Sequence, residues 1–173
     1  AQSGQIDYTR TLSAATLPTY ESCKNMTINS YAGTTTTFMA FNCEKAPFDD
    51  VNARKAVAYC IDKGTLTSLI GGKYSTDQGA FILPRSMFLL DEDAWNKAND
   101  TLESYQQDYT KAAEALAASN SPDGFEFNMY CTPAQKTGAE AIQSMIKESG
   151  LPITMNIVEI QTSDSFSVSY GYS

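Results

Sequence analysis

The sequence predicts an α/β domain, or an α+β domain, in which helices pack on a mixed sheet. The run "FEFNMY" (125–130) alternates as a strand does, and "ITMNIVEI" (153–160) is a second extended segment. Between them, apolar residues recur at three- and four-residue steps and the pattern stops at Gly150. A strand, a helix and a strand at this spacing predict two parallel strands joined by a crossover helix.

Two more strands, joined as a hairpin, are predicted near the start of the chain. "MTINSY" (26–31) and "TTFMAFN" (36–42) are rich in Thr, Ile and aromatic residues and flank "AGT". The period then becomes helical in "DDVNARKAVAYCIDK", with Asp49 or Asp50 as the N-cap and Gly64 just beyond the end. We therefore expect a hairpin followed by a helix that lies on the sheet.

The turn before that helix is predicted to be architectural. Pro47 should form a turn and Phe48 should enter the core, while the adjacent Asp pair satisfies free N–H groups at the helix start. Arg54 is the one residue here with an obvious alternative use in ligand binding. We predict that it instead forms an ion pair with a nearby acid.

The rest of the chain holds two more helices and a long irregular segment. "GTLTSLIGG" predicts a short helix stopped by Gly71 and Gly72, and Asp108 should cap the alanine-rich helix that follows it. Residues 73–107 show no sustained period, and their apolar side chains favour packing over the surface. The acids at 91–93 are expected to be caps or solvated charges.

Composition excludes several classes of function. A net charge of -8 and a pI near 4.4 disfavour binding to nucleic acid or to anionic membrane surfaces. The chain contains no histidine, which removes the commonest general base and the commonest zinc ligand. We therefore expect no enzyme, no catalytic residues, no metal site and no cofactor.

Several segments, in this order, resemble one family of receptors. "GQIDY", "FMAFNCEKAPFDDVNARKAVAYCIDKGTL", "DGFEFNMY" and "AIQSMIKESGLPITMNIVE" are similar to the extracellular solute-binding proteins of family 5, the dipeptide- and oligopeptide-binding components of ABC importers. The resemblance runs from about Gly4 to Glu159. It implies a longer protein with two lobes of the periplasmic-binding-protein type II kind.

The resemblance also implies a domain layout and a function. Residues 1–37 would continue from the N-terminal lobe, 38–161 would form part of the C-terminal lobe, and 162–173 would be a truncated or disordered tail. The complete protein would capture peptides or a related small solute in the periplasm, or as a lipid-anchored protein outside the membrane, and deliver it to permease subunits. The alternative is a surface protein that senses peptides without transport.

The expected ligand site is the segment "CTPAQKTG", at the end of one strand and the start of a helix, where α/β folds place anions. In dipeptide-binding relatives the corresponding "P.QR" loop offers an Arg to the peptide's terminal carboxylate. Thr132, Pro133, Gln135 and Lys136 match that segment, with Lys in place of Arg. A lysine is a point charge, so it would hold a carboxylate less directionally.

The four cysteines are predicted to be one disulfide pair and two thiols. Export would expose the chain to oxidising conditions, and the predicted hairpin would bring Cys23 opposite Cys43. The rival pair is Cys43 with Cys131, whereas Cys60 is expected to be a buried free thiol. An incomplete sheet also predicts self-association of the chain.

Overall fold

The computed structural model describes residues 5, 7–9, 16–31, 36–77 and 91–161. In these residues the chain forms helices and two strands, with 3-10 turns at Gly72–Tyr74 and Pro133–Gln135. The elements are α1 (Leu17–Glu21), α2 (Val51–Tyr59), α3 (Lys63–Gly71), α4 (Glu92–Asp100), α5 (Tyr109–Ala117), β1 (Phe125–Cys131), α6 (Lys136–Glu148) and β2 (Ile153–Glu159).

The unit β1–α6–β2 confirms the predicted crossover and the α/β class. The strands are parallel and in register from Phe125 beside Ile153 to Cys131 beside Glu159. Gly124 makes the entry into β1 possible, because its φ is +109° and a Cβ there would lie 2.0 Å from the Pro152 carbonyl oxygen. This close approach lets the Phe125 N–H donate to the same carbonyl at 3.1 Å.

The core lies between α6, the sheet and the turn before α2. Ile142, Met145 and Ile146 form the buried face of α6. Phe48 is buried, as predicted, and its ring centroid lies 4.9 Å from that of Phe127 at an interplanar angle of 77°. Such edge-to-face contacts add to the hydrophobic contribution of two large buried rings.

Helices α2 and α5 pack closely because small side chains lie between them. Ala56 and Ala112 are both fully buried. Asp50 is the N-cap of α2 and accepts hydrogen bonds from the N–H groups of Asn52 at 2.8 Å and Asn120 at 2.6 Å. The carboxylate of Asp50 thus caps α2 and also binds the backbone just after α5. Of the two candidate N-caps, Asp49 and Asp50, it is Asp50 that caps the helix.

Arg54 is not within ion-pair distance of an acid among the described residues, although its charge adds to the hydrogen bond from the Asn52 N–H in lowering the pKa of Asp50. Its Nη1 donates to the carbonyl oxygens of Phe48 at 2.5 Å and Asp49 at 3.3 Å. The turn before α2 leaves these carbonyls without helical partners, and a guanidinium with several donors satisfies them. Arg54 is therefore part of the same architectural turn.

The predicted hairpin is wrong. Residues 26–31 and 36–42 contain no strand where the structure describes them, and β1 and β2 pair only with each other in the described sheet. An extended segment becomes a strand only when a neighbour takes up its backbone hydrogen bonds. The mixed character expected for the sheet is therefore not seen in the described residues, where the sheet is parallel.

One helix boundary and one segment predicted to be irregular also differ from the prediction. Asp62 caps α3 by accepting from the Thr65 N–H at 3.0 Å, so Gly64 lies inside α3 instead of beyond the end of α2. Part of the segment predicted to be irregular is the helix α4, capped by Asp91 and anchored by the buried Trp95. The apolar run within 78–90 and the predicted tail 162–173 lie outside the described residues.

All four cysteines are thiols in the structure, so neither of the two predicted disulfides is present. Without the hairpin, nothing brings Cys23 opposite Cys43, and the Cys43 thiol donates instead to its neighbour Phe41 O at 3.6 Å. No bridge joins the rival pair either: Cys131 is a buried thiol and Cys43 an exposed one. Cys60 is a buried free thiol, as predicted, and burial raises its pKa.

Candidate functional site

The candidate site is the edge of the sheet where both strands end. β1 ends at Cys131 and β2 ends at Glu159, and the Ile160 N–H continues the ladder by donating to Cys131 O at 2.9 Å. Helix α6 begins at Lys136, and its N-terminus lies at this same edge. The four predicted ligand residues therefore lie together, in one turn.

That turn is held by its own side chains. Gln135 Oε1 accepts hydrogen bonds from both the N–H and the hydroxyl of Thr132, each at 3.0 Å. The Gln135 N–H in turn donates to Thr132 O at 2.9 Å, and Pro133 occupies the first position of the 3-10 turn. Thr132, Pro133 and Gln135 thus fix the backbone that presents Lys136.

Lys136 projects from this turn and meets a carboxylate. Its Nζ lies 3.2 Å from Glu159 Oε2, and the two side chains are 49% and 41% exposed. The hydrogen bond and charge of Glu159 raise the pKa of Lys136, and the charge of Glu140 adds to the effect. The lysine is therefore a protonated cation that solvent and solutes can reach.

Glu159 was not predicted to belong to the site, although the sequence carries a signal for it. Alternate residues of a strand share one face, which places Ile153, Met155, Ile157 and Glu159 in a single row. Ile153 and Met155 in that row are buried in the core beneath α6. The sequence thus indicates that Glu159 lies on the face covered by α6, but it does not identify its partner.

Away from this edge, a cleft of about 350 Å³ lies between the starts of α3 and α5 and the second half of α6. Its polar side chains bind the surrounding elements. Asp62 caps α3, the Tyr109 hydroxyl donates to Met145 O at 3.4 Å, and Glu148 accepts from the Ser144 hydroxyl at 2.9 Å. The Tyr109–Met145 bond joins α5 to α6, whereas the Asp62 and Glu148 bonds lie within α3 and α6, so these polar groups already serve the fold.

The described part of the chain holds neither a metal-binding cluster nor a helix that could span a membrane. No group of three or more Cys, Asp and Glu side chains there is arranged to hold a metal ion. None of the helices described has the length and apolar character that crossing a bilayer requires. The edge around Lys136 is thus the arrangement with the clearest binding chemistry.

Comparison with known proteins agrees with the resemblance noted in the sequence. Residues 1–171 match the family described as bacterial extracellular solute-binding proteins, family 5 Middle. The chain belongs to this family. The match covers nearly the whole chain, including both strand ends and the turn that presents Lys136.

Two curated proteins are similar to this family 5 chain over more than half of its length. Heme-binding protein A of Haemophilus influenzae is 36% identical over 101 residues, which are 58% of this chain and 17% of that protein. The dipeptide-binding protein of Escherichia coli is 25% identical over 113 residues, 65% of this chain and 19% of its own length. The chain therefore spans about a fifth of the curated relatives that it matches.

A solved structure shows the same fold. The ABC transporter-associated periplasmic binding protein DppA of Helicobacter pylori, in complex with the peptide STSA, matches with a TM-score of 0.72 at 20% identity. The match covers 87% of this chain and 27% of that protein. The family 5 chain thus has the fold of about one quarter of a periplasmic binding protein.

Proposed function

We propose that this chain is part of a two-lobed receptor that captures a carboxylate-bearing solute outside the membrane and delivers it to the permease of an ABC importer. The proposed solute is a peptide or a related small molecule. Lys136 would bind its carboxylate, and Thr132, Pro133 and Gln135 would hold the turn that presents the lysine.

The observation that carries this proposal is the position of Lys136. A half-exposed ammonium stands at the start of α6 and at the carboxyl edge of a parallel sheet, where the positive end of the helix dipole also favours anions. The site already holds one carboxylate, that of Glu159. Its geometry therefore suits a carboxylate group.

The names of the relatives support the same chemistry. One is named for heme, one for dipeptides, and the H. pylori protein was solved with a peptide. Heme carries propionate groups and a peptide carries a terminal carboxylate, so all three solutes present a carboxylate. A cation at a fixed position could serve each of them, while the rest of the receptor selects among them.

The larger assembly is part of the proposal. Residues 1–37 would continue from the N-terminal lobe and residues 38–161 would begin the C-terminal lobe. The receptor would work in the periplasm or as a lipid-anchored protein on the outer face of the cell membrane, with permease subunits as its partners. Membrane-fraction pull-down with the full-length receptor, followed by identification of co-purified permease subunits, tests the partner.

The site is tested by comparing two lysines of the same helix in the full-length receptor. Lys136→Ala should weaken binding of the natural solute about tenfold or more, because a charged hydrogen bond to the carboxylate is lost. Lys147→Ala removes the same charge from the other end of α6 and should leave affinity unchanged. Native mass spectrometry of the purified receptor identifies the solute, and calorimetry then gives both affinities.

Equal affinities for the wild type and both variants would remove Lys136 from the site. A solute without any carboxylate, identified by its mass, would contradict the proposed chemistry even if the protein remains a receptor. The two measurements thus test the residue and the ligand class separately.

We also expect the chain to self-associate when it is separated from the rest of the receptor. In the described sheet β1 and β2 pair only with each other, so no described residue takes up the hydrogen bonds of either outer edge, and such edges invite another strand. Light scattering of the 173-residue chain should show particles larger than a monomer. A monodisperse monomer would contradict this expectation.

A further inference from the structure

We propose that Glu159 determines the specificity of this site by competing with the carboxylate of the solute for Lys136. This inference rests on the proposed function, since it concerns the same lysine. The Glu159 carboxylate lies 3.2 Å from Lys136 Nζ, where the solute's carboxylate would bind.

The geometry shows that Glu159 is placed there by the fold. It is the last residue of β2, in register with Cys131 of β1, and both strand ends meet the start of α6. Its side chain continues the row that includes the buried Ile153 and Met155 under α6. The strand therefore directs the carboxylate toward the N-terminus of α6, where the helix dipole favours an anion.

The contact can be broken by a ligand. Both side chains are about half exposed, and exposed ion pairs of this kind contribute little to stability. Lys136 has three donors, but two carboxylates on one ammonium would repel each other at short range. A solute that brings a carboxylate must therefore displace Glu159, whereas a solute with a neutral group in its place need not.

The test uses the full-length receptor with two probes, the dipeptide Ala-Ala and its C-terminal amide, measured by calorimetry at low ionic strength. Glu159→Gln keeps the shape of the side chain and removes its charge. It should tighten binding of Ala-Ala about two- to fivefold, within the range for an exposed ion pair, and leave binding of the amide unchanged. If Glu159 had only a structural role, Glu159→Gln would change the affinities for Ala-Ala and for its amide by similar factors.

Glu140→Gln is the matched control, because Glu140 acts on Lys136 through its charge and lies one turn further along α6. It should change the affinity for Ala-Ala by less than about twofold. The double variant Lys136→Ala/Glu159→Gln should lose the gain, because there is no ammonium left to compete for. Thermal unfolding of each variant shows whether its fold is intact.

The outcomes separate the two proposals. If Ala-Ala binds, and binds more weakly to Lys136→Ala, but Glu159→Gln leaves its affinity unchanged or lowers it, the competition is overturned and the proposed function stands. The competition is also overturned if Glu140→Gln produces an equal gain, or if the amide gains as much as the acid. If neither probe binds to any variant, competition for a peptide carboxylate is overturned, whereas the proposed function is decided by the solute that native mass spectrometry identifies.

Discussion

The turns before α2 and before α6 differ in what holds them, although each contains a proline and leads into a helix. Before α2, Phe48 is buried among aromatic rings and Asp50 caps two segments at once. Before α6, Lys136 is half-exposed and forms an ion pair with the carboxylate of Glu159. The turn before α2 therefore builds the core, whereas the turn before α6 carries the candidate binding chemistry.

The largest effect should come from removing the aromatic core of the first turn. Phe48→Ala should lower the free energy of unfolding by about 3 kcal/mol, because it leaves a cavity among Phe41, Phe125 and Phe127. Phe38→Ala is the control, since Phe38 is 61% exposed and should change stability by less than about 0.5 kcal/mol. Urea unfolding of the full-length protein followed by tryptophan fluorescence measures both; similar small losses would show that Phe48 does not anchor this core.

A smaller loss is expected from the cap. Asp50→Ala removes the acceptor of the Asn52 and Asn120 N–H groups and should lower Tm by about 2–4 °C. Asp49→Ala removes the neighbouring carboxylate, which does not cap α2, and should leave Tm within about 1 °C of the wild type. Equal shifts in differential scanning calorimetry would contradict the assignment of the cap to Asp50.

The contribution of Asp50 should also depend on pH. Hydrogen bonds from the backbone of Asn52 and then Asn120 lower its pKa from an ordinary value of 3.8. Because the folded pKa is the lower one, the stabilisation is complete above about 3.8 and is lost as the pH falls through the folded pKa. The Tm difference between wild type and Asp50→Ala should therefore be constant from pH 7 to about 5 and narrow below about 4.

A difference that stays constant down to pH 2 would show that the charge of Asp50 contributes nothing. Asp50→Asn gives a second check, because asparagine also caps helices but does not titrate. Its Tm should lie close to that of the wild type at acid pH.

The smallest effect on stability should come from the second turn. Lys136→Ala and Glu159→Gln should each change Tm by less than about 1 °C, because their ion pair is exposed. The same Lys136→Ala variant should lose affinity for the solute, so stability and binding separate at this turn. A Tm loss as large as that of Asp50→Ala would make the turn before α6 architectural too.

Much of the fold follows from patterns that extend over only a few residues. The alternating run at 125–130, the extended segment at 153–160 and the helical period between them predict β1, β2 and α6. The N-caps Asp50 and Asp108 bond N–H groups two or three residues away. Local signals of this kind can be read from the sequence because the interacting groups are near neighbours in it.

Tertiary structure alone decided the remaining features, because they depend on groups that are distant in sequence. Residues 26–31 and 36–42 have strand composition but no strand, since pairing needs a neighbour that composition does not supply. The thiol state of Cys43 follows from that missing hairpin. The contact of Lys136 with Glu159 exists because parallel register brings the end of β2 to the start of α6, and no local pattern fixes that register.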